Sequence, residues 1–199
     1  MFTGIVKCVG KIESIVDKGS TKLFTISSPI SESFRVDQSI AHDGVCLTVV
    51  HVENGSHKVE VVDETLSKST LGMLKEGQSI NLEKSIAPHT LLDGHLVQGH
   101  VDTTLICQSV EDLDGSWKFH FNLPDAFAGL VIPQGSVCIN GVSLTISDIF
   151  KDSFAVAIIP YTFENTNFKQ LWAGDTVNVE FDLIGKYIIR QMELRNLTE

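Results

Sequence analysis

Residues 40–83, IAHDGVCLTVVHVENGSHKVEVVDETLSKSTLGMLKEGQSINLE, recur as residues 137–180, VCINGVSLTISDIFKDSFAVAIIPYTFENTNFKQLWAGDTVNVE, at a constant offset of 97 and without a gap. Eleven of the 44 aligned pairs are identical, against roughly three expected from average residue usage. The identities include a G-V-x-L-T core in each copy and the N-x-E triplets that end at Glu83 and Glu180. A weaker match joins residues 2–6 to residues 97–101. The chain is therefore predicted to be a tandem duplication of one folding unit.

Length and charge limit the classes of protein that this chain can be. The 199 residues divide into two units and a short tail, and each unit, at about 95 residues, is near the lower limit for an independent core. The formal net charge of -10, without a cluster of Lys and Arg, argues against nucleic acid as a partner. The sequence shows no basic leader before an apolar run and no long apolar stretch, so we expect no membrane segment and a cytoplasmic location.

The four cysteines stand apart, at Cys8, Cys46, Cys107 and Cys138. None forms a C-x-x-C pair, so neither a disulfide framework nor a zinc site is expected at this length and spacing. The sequence thus predicts no metal site.

Short alternating or apolar runs closed by turn residues dominate both units. Strands are predicted at residues 5–6, 23–26, 46–52, 58–62, 79–83, 117–121, 142–146, 154–159 and 176–181. Residues 53–56, ENGS, are predicted to form a hairpin turn, with residues 151–152 at the matching place. We therefore predict an all-β fold of two tandem, six-stranded antiparallel barrels, each closed so that no sheet edge is exposed.

The pattern changes after Asp182. Ile184, Tyr187, Ile188 and Met192 recur at helical spacing and predict a C-terminal helix with one apolar stripe. The stripe either packs on a barrel or meets copies of itself in an oligomer, and the residues alone favour neither. The predicted domains are residues 1–95, 96–182 and 183–199, with short helical segments at residues 66–74 and 163–171.

Five motifs, in order over essentially the whole chain, resemble those of the riboflavin synthases of the alpha-chain type. They are MFTGIV at residues 1–6, HDGVCLTV at 42–49, GHLVQGHVD at 94–102, NGVSLT at 140–145 and GKY at 185–187. The resemblance implies a pair of barrels, a C-terminal helix that forms a homotrimer, and a transferase that needs no metal and no redox cofactor. Two molecules of 6,7-dimethyl-8-ribityllumazine would be dismutated by transfer of a four-carbon unit, giving riboflavin and 5-amino-6-(ribitylamino)uracil.

A reaction between two copies of one compound suits a protein with two copies of one pocket. The resemblance places the lumazine contacts of the first pocket on Cys46, Leu47, Thr48, Glu60, Val61, Val62, Asp63, Glu64, Thr65, Gly99, His100 and Val101. It places those of the second pocket on Ser143, Leu144, Thr145, Ala157, Ile158, Ile159, Pro160, Tyr161, Thr162, Gly4, Ile5 and Val6, and it adds Gln134 as a further substrate contact. The opening segment of each unit would thus line the pocket of the other unit. In the family, the working site lies between the first barrel of one protomer and the second barrel of its neighbour.

The two predicted pockets differ in chemistry. Cys46 in the first is matched by Ser143 in the second, and the first is the more acidic. We assign proton transfer to His100, because an imidazole titrates near neutral pH, and Cys46 is a candidate nucleophile or polar contact. Ser143, Thr145 and Asp182 are predicted to orient the ring and the ribityl chain.

Each of these residues also has a purely structural interpretation. A cysteine on a strand is more often a small buried hydrophobe than a nucleophile, and threonine and serine could be plain strand formers. His95 and His100, if on a strand, would point to opposite faces, which argues against a shared metal ion. The family pattern also has departures: Gln134 replaces a common lysine, and Asp43 replaces a common asparagine that the second copy keeps as Asn140. The recurrence of the motifs in paired copies favours the functional interpretation.

Two other classes of protein remain as alternatives. A non-catalytic lumazine- or flavin-binding antenna protein could use the same double barrel, but it could let one pocket decay, whereas both copies here keep the G-V-x-L-T core. A flavin-dependent oxidoreductase on a related barrel would carry a G-x-G-x-x-G after a strand, and the sequence has none. The synthase is therefore the favoured interpretation.

Overall fold

The computed structural model describes residues 1–196, which form twelve strands in two groups of six and a final helix. The first group comprises β1 (Cys8–Asp17), β2 (Thr21–Ser27), β3 (Ser39–His42), β4 (Val45–Glu53), β5 (Ser56–Val62) and β6 (Ser79–Lys84). The second comprises β7 (Thr103–Asp112), β8 (Trp117–Asn122), β9 (Ser136–Ile139), β10 (Val142–Ile149), β11 (Ser153–Ile158) and β12 (Thr176–Phe181). The α-helices are α1 (Asp63–Lys68), α2 (Pro160–Asn165) and α3 (Leu183–Asn196), and 3-10 turns lie at Ser31–Ser33, Thr70–Met73, Asp125–Leu130 and Asn167–Gln170.

Each group of strands closes into an antiparallel barrel with the same strand order. The orders are β1-β2-β5-β4-β3-β6 and β7-β8-β11-β10-β9-β12, with β6 paired to β1 and β12 paired to β7. Closure removes the exposed sheet edges that would otherwise pair with other chains. The predicted fold class is confirmed. Among residues 1–196, no helix has the length and apolar character needed to span a membrane.

Alternation along the strands builds a separate core in each barrel. On β4, Val45, Leu47 and Val49 are buried while Thr48 and Val50 face outward. β10 repeats the pattern at the equivalent positions. Most buried apolar side chains of each barrel form a cluster of their own, and each fully buried Val, Leu or Phe contributes about 1.5–3 kcal/mol. Each unit therefore carries the core that the duplication predicted.

Two tight turns place the barrels against each other. β3 joins β4 through Asp43-Gly44, and β9 joins β10 through Asn140-Gly141, with positive φ at all four residues. A Cβ on Gly44 would lie 2.8 Å from the backbone nitrogen of Gly141, and a Cβ on Gly141 would lie 2.7 Å from that of Gly44. The barrels therefore meet, backbone to backbone, at two copies of the same turn, which only glycine permits.

Local structure differs from the sequence predictions in two places. Residues 5–6 are not in a strand, and only Phe2 before them makes an isolated bridge. The helices predicted at residues 66–74 and 163–171 instead begin earlier, at Asp63 and Pro160. Each is then interrupted, at Ser69 or Thr166, where the side-chain hydroxyl accepts the N–H of the following 3-10 turn. The hairpin turn at residues 53–56 is confirmed, with Asn54 and Gly55 both at positive φ.

The C-terminal helix α3 lies on the second barrel by one side only. Ile189 of α3 reaches Gly129, and Leu130 lies beside Gly185. The predicted apolar stripe is on another side and is exposed, at 65% for Ile184, 67% for Tyr187, 56% for Ile188 and 61% for Met192. Of the two alternatives for the stripe, packing on a barrel is therefore wrong. The predicted segment 183–199 ends with residues 197–199, which lie outside the described residues.

Candidate functional site

The opening segment of the second unit lies on β4 of the first barrel. The backbone N–H of Cys46 donates to the carbonyl oxygen of Gly99 over 2.9 Å. Gly99 has a φ of 81°, and a Cβ there would come within 2.6 Å of the Cys46 Cβ, so a larger residue would push the segment away. This contact brings His100, the next residue along the chain, to the first predicted pocket. The His100 side chain is exposed and the Cys46 side chain is half-buried.

The second predicted pocket repeats this geometry. The backbone N–H of Ser143 on β10 donates to the carbonyl oxygen of Gly4 over 2.7 Å. A Cβ on Gly4, whose φ is 75°, would approach the Ser143 Cβ to 2.6 Å. Ile5 follows Gly4 as His100 follows Gly99. The structure thus shows the exchange of opening segments between the units.

Alternation divides the remaining predicted contacts into two classes. Outward-facing side chains can reach a ligand on the barrel surface, and these are Thr48, Glu60, Val62, Thr145, Ala157 and Ile159. Inward-facing side chains belong to the barrel cores, and these are Leu47, Val61, Leu144 and Ile158. The inward-facing residues can offer a ligand only their main-chain atoms. The sequence prediction did not separate these two classes.

The first turns of α1 and α2 make the two pockets electrostatically different. Asp63 and Glu64 open α1, both exposed, and Glu64 pairs with Lys68 over 2.7 Å. Pro160 and Tyr161 open α2 at the equivalent positions, and Tyr161 is 75% exposed. The half-buried Thr65 and Thr162 follow them. The rim of the first pocket is therefore acidic, and that of the second is neutral and aromatic.

Gln134 and Asp182 occupy structural positions near the second pocket. Gln134 is exposed at a φ of 60° in the turn before β9, where its N–H donates to the carbonyl oxygen of Ile146. Asp182 caps the start of α3, because its Oδ1 accepts the N–H of Ile184 over 2.9 Å. Its charge also acts on His95, whose pKa it raises against the larger effect of burial. Asp182 is thus close to His95 at the second predicted pocket, but it lies at the start of α3 and not on the strand that carries Ser143.

His95 lies beside Ser143 at the second predicted pocket, and the sequence interpretation did not include it among the site residues. Its Nδ1 lies 2.7 Å from the Oγ of Ser143, while its buried Nε2 has no hydrogen-bond partner within residues 1–196. Burial lowers the pKa of His95, so the ring is neutral at physiological pH. The segment around it is not a strand, and the expectation that His95 and His100 point to opposite faces of one strand does not apply. The motif GHLVQGHVD contained this signal, but only a loop conformation lets both histidines reach a pocket.

Both predicted pockets are open on a single chain. A cleft of about 500 Å³ runs between the barrels, but it is lined by residues such as Asp43, Thr70, Asn140, Asn167 and Trp172 and by none of the predicted contacts. The predicted contacts instead lie on outer barrel surfaces, where several side chains are exposed. Both predicted sites are therefore open to solvent on the side that these exposed side chains face.

Comparisons with known proteins identify both barrels. The family model described as lumazine binding domain matches twice, over residues 3–85 and 98–182. The chain is similar to riboflavin synthase of Bacillus subtilis, with 34% identity covering 98% of this chain and 92% of that protein. It is similar to riboflavin synthase of Mycobacterium bovis, with 37% identity covering 96% and 98%, and to that of Actinobacillus pleuropneumoniae, with 36% identity covering 94% and 88%.

Solved structures show the same double barrel. The crystal structure of LumP complexed with riboflavin has a TM-score of 0.85 and 26% identity, covering 91% of this chain and 99% of that chain. The structure of LumP complexed with 6,7-dimethyl-8-(1'-D-ribityl)lumazine has a TM-score of 0.83 at 24% identity, with the same coverage, and shows the fold alone. The full-length relatives and the paired domain matches agree. The chain therefore belongs to the riboflavin synthase family, and its two barrels are lumazine binding domains.

Proposed function

We propose that this chain catalyses the dismutation of two molecules of 6,7-dimethyl-8-ribityllumazine to riboflavin and 5-amino-6-(ribitylamino)uracil. The observation that carries the proposal is the duplicated site, in which the opening segment of each unit lies on the G-V-x-L-T strand of the other. Two equivalent sites suit two identical substrates. The differences at Cys46 and Ser143, and at His100 and Ile5, suit the different roles of donor and acceptor.

The proposed reaction balances without an outside oxidant or reductant. One lumazine gives up a four-carbon unit and becomes the diaminouracil, and the other gains that unit and becomes riboflavin. The two products together contain every atom of the two substrates. The protein must therefore hold two rings in register and move protons between them, and such orientation can replace a very high effective concentration.

The first pocket supplies the proton acceptor. His100 is exposed at the pocket, and the neighbouring Gly99 is held against β4 by the hydrogen bond from Cys46, so the imidazole can approach the C7 methyl group of a bound lumazine. Loss of a proton from that methyl group gives an anion that the pteridine ring delocalises, and a modest base is enough. The half-buried Cys46 contributes a polar contact or the nucleophile that adds at C7 of the partner ring. That nucleophile leaves again and does not enter the balance.

The second pocket orients the other substrate. Ser143 presents its hydroxyl with His95 hydrogen-bonded to it, and Thr145 points outward on the same strand. The open faces of both pockets support assembly of the working site from the first barrel of one protomer and the second barrel of a neighbour. The exposed stripe on α3 is suited to hold such a homotrimer together, and the proposal places it in the cytoplasm.

An incubation with the lumazine tests the proposed function. We expect riboflavin absorbance and fluorescence to appear, with one riboflavin formed for each two lumazine molecules consumed. The variant His89→Ala, in an exposed loop outside both pockets, is the matched control for His100→Ala. Lumazine that binds and fluoresces unchanged would instead support a binding protein of the antenna type.

A further inference from the structure

Two buried carboxylates at equivalent positions, one on each barrel, are not used by the proposed chemistry. Glu83 ends the N-x-E triplet of the first copy on β6 and is 3% exposed. Glu180 ends the equivalent triplet on β12 and is 2% exposed. Both survive the divergence of the two copies, although a buried carboxylate carries a large desolvation cost unless its oxygens are satisfied. Their hydrogen-bond partners show what they do.

Glu180 binds the segment that carries His100. Its Oε1 accepts the backbone N–H of Gln98 over 2.7 Å, and its Oε2 accepts the N–H groups of Gly99 and His100, each over 2.9 Å. Three successive backbone N–H groups thus converge on one anion, which is the arrangement of an anion-binding nest. Hydrogen bonds to a charged acceptor are the stronger kind. The carboxylate therefore fixes both the position and the direction of this segment.

Glu83 makes the equivalent contacts in the first unit. Its Oε1 accepts the N–H and the Oγ1 hydroxyl of Thr3, each over 2.7 Å, and its Oε2 accepts the N–H of Gly4 over 3.0 Å. Each carboxylate thus holds the opening segment of its own unit while that segment lies on the other barrel. Glu180 belongs to the second barrel but acts at the first pocket, and Glu83 acts at the second pocket.

The contacts require two accepting oxygens on the side chain. Burial raises the pKa of both carboxyls, and the converging N–H groups oppose that shift. The glutamine amide has the same shape but one accepting oxygen, and its NH₂ group would face at least one of the backbone N–H donors. A substitution of Glu180 by glutamine should therefore release part of the segment without changing the size of the core.

We propose that Glu180 is the positioning residue for His100 in the first pocket, and that Glu83 has the equivalent role for Gly4 at the second pocket. The proposal rests on the proposed function, because the role of Glu180 is defined through the proton transfer assigned to His100. Glu180 touches no reacting atom. It sets the distance between His100 and the substrate, and a displacement of about 1 Å can lower a rate by about a hundredfold.

A double-mutant cycle distinguishes positioning from a general effect on folding. Glu180→Gln should lower kcat by about thirtyfold and change KM by less than about threefold. In a His100→Ala background, the same substitution should lower kcat by less than about twofold, because the group that it positions is gone. The matched control is Glu83→Gln, whose effect should be the same factor in both backgrounds. Multiplicative effects of Glu180→Gln and His100→Ala, or a kcat of Glu180→Gln equal to the unsubstituted protein, would overturn the proposal.

A second measurement does not depend on catalysis. Amide hydrogen exchange at Gln98, Gly99 and His100 should become at least about tenfold faster in Glu180→Gln and stay unchanged in Glu83→Gln. If Glu180→Gln fails to fold, Glu180→Asp keeps the charge and withdraws it from the segment, and the same exchange pattern is expected. Unchanged amide exchange at these three residues in a folded Glu180 variant would show that Glu180 does not position the segment. If the unsubstituted protein makes no riboflavin, the proposed function fails, while faster exchange would still establish the anchoring contact.

Discussion

The two barrels share their turns and strand order but not the chemistry of their interiors. In the first barrel, His42 and His57 are fully buried and their Nε2 atoms lie 2.9 Å apart. The second barrel has Ile139 and Phe154 at the equivalent positions, and Phe154 packs on Phe121 with ring centroids 5.8 Å apart. The same backbone thus encloses a polar chain in one copy and an aromatic contact in the other.

The polar chain in the first barrel has one direction. The Nδ1–H of His42 donates to the carbonyl oxygen of Ile40, since a carbonyl only accepts. The Nε2 of a neutral His42 then accepts the Nε2–H of His57, and the Nδ1 of His57 accepts the hydroxyl of Ser31 over 2.8 Å. Both histidines must stay neutral. The shared turns therefore preserve the barrel, whereas the interior of one copy can change until its stability depends on pH.

The largest effect is expected from separating the barrels of neighbouring protomers. If each first pocket needs a second pocket from another chain, Ile188→Glu on the exposed stripe should give a monomer, because a carboxylate buried in a helix contact is strongly unfavourable. Turnover should fall by about a thousandfold, or about 4 kcal/mol. Sedimentation and a riboflavin assay check this, with Arg190→Glu on another side of α3 as the control. A monomer with full turnover would show that one protomer suffices.

The next effect concerns the buried histidines. Burial and the charge of His57 lower the pKa of His42 to about 3. Burial lowers the pKa of His57 to about 4. In the unfolded chain both imidazoles take up protons near pH 6.5. The stability that depends on the neutral histidines is therefore fully present above pH 6.5 and is lost as the pH falls toward 4. We expect the free energy of unfolding to drop by about 3 kcal/mol or more between pH 7 and pH 4.

Denaturant unfolding at several pH values measures this drop. The double substitution His42→Ile and His57→Phe copies the second barrel and should abolish most of the acid dependence. His89→Ala, in an exposed loop, should leave it unchanged. An acid dependence that persists in the double variant would place its origin outside the first barrel.

A smaller effect distinguishes the two pockets. His100→Ala should lower kcat by about thirtyfold, or about 2 kcal/mol, and change KM little, because its proton transfer acts in the transition state. Ile5→Ala, at the equivalent place in the second pocket, should lower kcat by no more than about threefold. Steady-state kinetics on both variants give the comparison. Equal losses would mean that the pockets do not divide the chemistry as proposed.

The smallest effect lies where the barrels meet. Burial, opposed by hydrogen bonds from Asn81 and Asn167, raises the pKa of Asp43 to about 7. The contribution of the protonated Asp43 to the free energy of unfolding is therefore fully present below about pH 3.8 and is lost as the pH rises through 7. Asp43→Asn keeps an accepting oxygen, as Asn140 shows with the N–H of Asn178, and should stabilise the protein by about 1–2 kcal/mol at pH 8.

Thermal unfolding across pH tests this last prediction. The gain should shrink to nothing near pH 4, and the reverse substitution Asn140→Asp should destabilise the protein at pH 8. A gain that is equal at both pH values would contradict a titration of Asp43.

The sequence predicted the fold from repeated turns and strong strand alternation, and it failed where those signals are weak. β1 and β7 were missed because each is long and buries only two of its ten residues, and β3 and β9 because each has four residues. The motifs located the strands of both pockets. His95, Glu83 and Glu180 were missed as site residues because their partners lie 48 to 82 residues away, and no local pattern shows such contacts.

The touching glycines at the barrel contact also limit how the two copies can evolve. Most equivalent residues of the copies lie in separate surroundings, so one copy can change without regard to the other, as His42 and Ile139 have done. Gly44 and Gly141 are instead each other's nearest obstacle, since a Cβ on either would lie within 3 Å of the other's backbone nitrogen. Neither position can accept a side chain, because the room would have to come from a smaller residue at the other position. That residue is already glycine. The duplication has therefore left one point at which both copies must stay identical, whatever differences the two pockets acquire.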